Sequence, residues 1–109
     1  MASGTINNKA YRLADSKTGT TAYSFTSTND TELCVFVISS TIQSSINIPI
    51  SKLSSTSQNF YVGWGDTTGG FVSIFSLAKN GNTISGALNT VKVNGASTIT
   101  TAKIDIYAK

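Results

Sequence analysis

The chain has 109 residues, a net charge of +3, no histidine and one cysteine. Without histidine, Ser-His-Asp and Cys-His catalysis are excluded, as is a zinc site of Cys and His ligands, and the lone Cys34 excludes an internal disulfide. Only 12% of the residues are charged, about half the usual share, while the 39% that are hydrophobic fall in short runs divided by Ser, Thr, Asn and Gly, the palette of a β-protein.

Residues 1–8 are small and polar and read as a flexible N-terminal arm, followed by one domain over 9–109. Residues 1–10 lack the basic and apolar regions of a secretory signal, so a protein made in a cytoplasm is expected, and any release from it by a route other than Sec. KAYRLA at 9–14 and TTAYSF at 20–25 read as the first two strands, with turn material at 17–19. ELCVFVIS at 32–39 is apolar on both faces: Leu33, Val35 and Val37 on one, Cys34, Phe36 and Ile38 on the other. Such a strand is central in its sheet or lies under a subunit interface. Cys34 is expected there as a small buried hydrophobe.

In SSINIPI at 44–50, Ile46, Ile48 and Ile50 share a face, and Pro49, which has no N–H to donate, makes this an edge strand or ends it. A short helical turn fits only in the Ser-rich span 51–59. NFYVGWG at 59–65 sets Phe60, Val62 and Trp64 on one face and Tyr61 on the other, before a loop at 66–70. Two alternating runs then flank Asn80-Gly81, which predicts a type I′ hairpin, and Asn94-Gly95 repeats the device. In the last segment Ala102, Ile104, Ile106 and Ala108 face one way, while Thr101, Lys103, Asp105 and Tyr107 face the other. Turn signals every 8–12 residues or so predict an all-β, antiparallel two-sheet β-sandwich, jelly-roll-like, of about eight to nine strands.

The eight cations are Lys9, Arg12, Lys17, Lys52, Lys79, Lys92, Lys103 and Lys109. They form no run or stripe, so a nucleic-acid partner is not expected. No segment approaches the ~20 apolar residues of a helical membrane span, and no membrane partner is expected. Among the five carboxylates, Asp30 and Glu32 are the closest in sequence. A glycosidase pair or a weak Ca²⁺ site is the functional reading, but turn hydrogen bonding for Asp30 and edge solubility for Glu32 account for them better. GWGDTTGG at 63–70 has no following Lys and opens no helix, so it is not a phosphate loop. No catalytic residue, metal or cofactor is expected. One constellation remains: Asn59, Tyr61, Trp64 and Asp66, where rings that stack on sugar C–H faces sit beside polar groups that take hydroxyls. The competing expectation places Trp64 and Phe60 in the core and has Asp66 open a turn.

Several stretches carry a resemblance. They are KTGTTAYSFTST at 17–28, TELCVFVISS at 31–40, INIPISKL at 46–53, FYVGW at 60–64 and VNGASTITTAKIDIYAK at 93–109. Together they resemble small β-sandwich structural proteins of tailed phages and prophages of Gram-positive gut bacteria, of the tail-fibre, baseplate or receptor-binding type. The end here is Tyr107-Ala108-Lys109, where that family often has Tyr-Tyr-Arg. The resemblance implies a non-enzymatic virion subunit, made in the host cytoplasm, that forms a homo-oligomer, often a trimer. It also implies contacts with other virion proteins and either particle decoration or contact with host cell-wall glycans. The alternative is a bacterial carbohydrate-binding module or lectin that is not part of a virion.

Overall fold

Alternation of apolar and polar residues gives each strand one face for the core and one for solvent. The structure, a computed structural model, describes residues 10–66, with the backbone alone at Asp66, and 69–109. It forms ten strands: β1 (Arg12–Thr18), β2 (Tyr23–Thr26), β3 (Glu32–Ser39), β4 (Ile42–Pro49), β5 (Gln58–Asp66), β6 (Gly69–Asn80), β7 (Thr83–Gly86), β8 (Leu88–Val93), β9 (Ala96–Ser97) and β10 (Lys103–Ala108). Among the described residues the helical content is a single 3₁₀ turn, Ile50–Lys52. The N-terminal arm expected at 1–8 lies outside the described residues.

The strands make two antiparallel sheets. The first has the order β1-β10-β3-β4. In the second, β6 is the long central strand: β5 pairs with one edge, and β7 and then β8 pair with the other. A one-residue break at Ala87, in register with Ser76, separates β7 from β8, and a bulge follows at Asn89, so one returning segment serves both β2 and β9 on its far side. The nested outer pairs β1–β10 and β2–β7 are those of a jelly roll, while β3–β4 and β5–β6 form hairpins within their own sheets. The break at Ala87 and the two-residue β9 raise the strand count to ten.

Between the sheets lie Leu33, Val35 and Val37 of β3, Ile104 and Ile106 of β10, Phe71, Phe75 and Leu77 of β6, and Tyr23, Ile84, Leu88 and Val91, all essentially without exposure. Each such side chain contributes about 2 kcal/mol as an upper figure. Ser73, on the same inward face, is fully buried and donates to the Val62 carbonyl at 2.6 Å, so its hydroxyl is satisfied.

Several sequence expectations shift by a residue or more. Of the first expected strand, Lys9 lies outside the described residues and Ala10 and Tyr11 precede β1, which starts at Arg12; Lys17 and Thr18 belong to it, leaving Gly19 (φ +67°) in the turn. Asp66 pairs with Gly69 and Gly65 with Gly70, so the glycines expected in a loop open β6 instead. The first hairpin turn is Gly81-Asn82, with Asn80 paired to Thr83. Only Gly81 of the two has positive φ (+59°), the pattern of a type II′ turn, in place of the type I′ turn expected at Asn80-Gly81. At the second site Asn94 (+51°) and Gly95 (+84°) form the two-residue loop as expected. Pro49 closes β4, which is an edge strand.

Candidate functional site

The Asn59, Tyr61, Trp64 and Asp66 constellation lies on β5, the edge strand of the second sheet. Strand alternation divides it. Phe60 and Val62 point inward, where Phe60 stacks on Phe75 with ring centroids 5.4 Å apart. Trp64 shares their face, opposite Phe71, but sits at the strand's far end and is 55% exposed, so it is not the core residue that the competing expectation made it. Asn59 and Tyr61 face outward, and Tyr61 is 67% exposed.

Two glycines bring the two rings back into one site. Gly63 and Gly65 leave the strand bare around Trp64, and a furrow of about 320 Å³ runs there. Tyr61, Val62, Trp64, Phe71 and Val72 line it together with the two glycines. Gly63 is required: a Cβ on it would lie 1.9 Å from the Phe71 carbonyl oxygen. Asn59 does not line the furrow, and the side chain of Asp66 lies outside the described residues. The site is therefore narrower than the sequence expectation, two rings in a shallow apolar trough. Such a trough suits a ligand with a flat apolar face and hydroxyl edges.

The two carboxylates closest in sequence are spread apart. Asp30 is nearly buried, takes a bidentate pair from Arg12 at 2.6 and 2.7 Å, and accepts from Ser27 Oγ at 2.8 Å. It fastens the turn before β3 to β1. Glu32 is on a central strand, not an edge, and accepts the Tyr11 hydroxyl. That hydrogen bond, assisted by desolvation, raises the Tyr11 pKa to about 12. A polar depression of about 370 Å³ beside Asp30 also includes Lys79, whose ammonium donates to the Gly81 carbonyl at 2.7 Å. Among the described residues no group of three or more His, Cys, Asp or Glu could hold a metal ion.

Sequence reasoning did not assemble a third surface, the solvent side of the first sheet. There Tyr11, Cys34, Phe36, Ile38 and Tyr107 line a groove of about 430 Å³. Phe36 and Tyr107 meet edge to face at 5.8 Å, and the Lys109 ammonium lies 4.7 Å over the Tyr11 ring. Cys34 is half-buried on this outer face rather than in the core. Desolvation, with Glu32 adding to it, pushes its thiol up and disfavours the reactive thiolate. Comparison with family models, with curated proteins and with solved structures returns no match for this chain.

Proposed function

We propose that the protein is a non-enzymatic structural subunit of a phage particle, of the tail-fibre, baseplate or decorating kind. It works by contact: copies associate with one another, and each offers the β5 furrow to a cell-surface glycan. The observation that carries the glycan contact is the pair of exposed rings, Tyr61 and Trp64, that line one furrow with Gly63 between them in sequence. Sugar C–H faces stack on such rings with modest affinity, and repeated copies multiply weak contacts through effective concentration. The virion setting is supported by the resemblance carried by 17–28, 31–40, 46–53, 60–64 and 93–109.

Trp64 is the sole tryptophan, so its fluorescence reports on the furrow without ambiguity. Titration with a panel of cell-wall glycans is expected to quench or shift that emission, and Tyr61→Ala is expected to weaken binding about tenfold, the effect of roughly 1.4 kcal/mol. Emission unchanged across the panel sinks the glycan reading. The same furrow serves the second reading, a bacterial lectin or carbohydrate-binding module outside any virion. Co-sedimentation with particles after prophage induction separates the two: a virion subunit pellets with the particle and a free lectin does not.

A further inference from the structure

We infer that the outer face of the β1-β10-β3-β4 sheet is buried against the same face of a second copy, across a two-fold axis running along the strands between β10 and β3. This deepens the self-association in the proposed function and rests on it, but it names the surface and the symmetry.

The strand registers set this face out in rows. Cys34 pairs with Tyr107, Phe36 with Asp105 and Ile38 with Lys103. Leu13 pairs with Tyr107 from the other side, and Ser16 with Asp105. Apolar groups thus run along β3 and cross at one end to Tyr107 of β10 and Leu13 of β1, beside the charged Asp105 and Lys103. Sheets packed on one side only expose polar residues on the other; β4 does so with Gln43, Ser45 and Asn47, but β3 and the Leu13–Tyr107 pair do not. Four strands about 4.8 Å apart, with rows about 6.8 Å apart, give a face of roughly 500 Å² per copy, or roughly 1,000 Å² in a pair, the lower bound for a specific interface.

Charge selects the occupant. The face carries Glu32 and Asp105 against Lys103 and Lys109, so it is balanced and offers no electrostatic gain to a nucleic acid or an acidic surface. It is, however, self-complementary in charge at its Glu32–Lys109 end. A two-fold axis along the strands between β10 and β3 keeps each row opposite itself and exchanges those two strands. Glu32 and Lys109 lie in the same end row, held there by mutual backbone hydrogen bonds. The operation therefore places Lys109 of each copy over the partner subunit's Glu32, twice, Tyr107 over the partner subunit's Cys34, and Phe36 and Ile38 over the partner subunit's Asp105 and Lys103, whose charges already pair with each other at 3.7 Å within one copy. An isologous contact of this kind closes as a dimer, not as the trimer that the resemblance implies.

The test is sedimentation equilibrium of the whole chain from about 1 µM to about 1 mM. The mass is expected to rise from 11.4 kDa to twice that value. Phe36→Lys, a substitution on the solvent side, is expected to leave the thermal transition in place and hold the protein monomeric throughout. Glu32→Lys is expected to weaken the dimer at least tenfold, and Glu32→Lys with Lys109→Glu to restore it. A monomer at every concentration overturns both the self-association and its surface. An oligomer indifferent to Phe36→Lys, or a trimeric mass, overturns the surface and axis alone. Glycan titration of Phe36→Lys, read at Trp64 on the other sheet, keeps failure of the glycan reading separate from either result.

Discussion

Tyr23 shows how one residue ties stability to pH. Its ring is 1% exposed between the sheets, and its hydroxyl donates to the Ser76 carbonyl. Burial pushes its pKa well above the ordinary 10.0, so the fold favours the neutral phenol. Below pH 10 the group is neutral in both folded and unfolded chains, and its contribution is intact. Above pH 10 the unfolded chain loses the proton while the folded chain keeps it, so stability falls as pH rises, by up to about 1.4 kcal/mol per pH unit. Tyr11, raised by its bond to Glu32, acts in the same direction. Urea melts are expected to be flat from pH 7 to 9 and to decline above 10, with Tyr23→Phe removing most of the slope. A slope unchanged in that variant would place its cause elsewhere. The sequence announced Leu33, Val35 and Val37 as a buried face through alternation alone. It gave no such sign for Tyr23, because the carbonyl that satisfies its hydroxyl lies 53 positions away. Trp64 misled for a related reason: parity fixes which side a residue faces, not whether another layer reaches that far.

At the scale of elements, the hairpins carry the most local information. Asn94-Gly95 folds as its composition demands, whereas the Asn80-Gly81 signal is displaced by one residue to Gly81-Asn82. Ile84 meets Lys79 here, where an Asn80-Gly81 turn would have set it against Leu77; both partners lie on the inward face, so Ile84 stays in the core and alternation alone does not choose between the two turns. Gly81 still needs positive φ, and nothing lies within 4 Å of where its Cβ would be, so a side chain there costs only backbone strain. Gly81→Val is expected to lower stability by about 1–2 kcal/mol, with Gly81→Asn losing much less. Equal melts for all three proteins would refute the turn geometry. The β3–β4 turn went unread because Ser40 takes φ +56° without a glycine to mark it.

For the whole molecule, the decisive pairing joins distant parts of the chain. β10 lies between β1 and β3 and inserts Ile104, Ile106 and Ala108 into the core. Alternation made its two faces legible, but no local pattern says that it must sit beside β1. Topology is a property of the assembled core, which is why the all-β sandwich could be read and its strand order could not. The outer groove escaped notice for the same reason: Tyr11, Phe36 and Tyr107 become neighbours only through β10. A chain ending at Ala102 is expected to lose its cooperative thermal transition and its near-ultraviolet circular dichroism, because β1 and β3 then have no common partner. A cooperative melt in that shortened chain would contradict the placement of β10.

That placement also governs biosynthesis. β10 is the tenth of the ten strands to leave the ribosome, so β3 emerges with Val35 and Val37 on one side and Phe36 on the other and must wait for the neighbour that closes its sheet. Non-local pairing of this kind slows folding and leaves sticky surface open meanwhile. Nascent chains stalled before position 103 are therefore expected to aggregate more readily than the full-length chain.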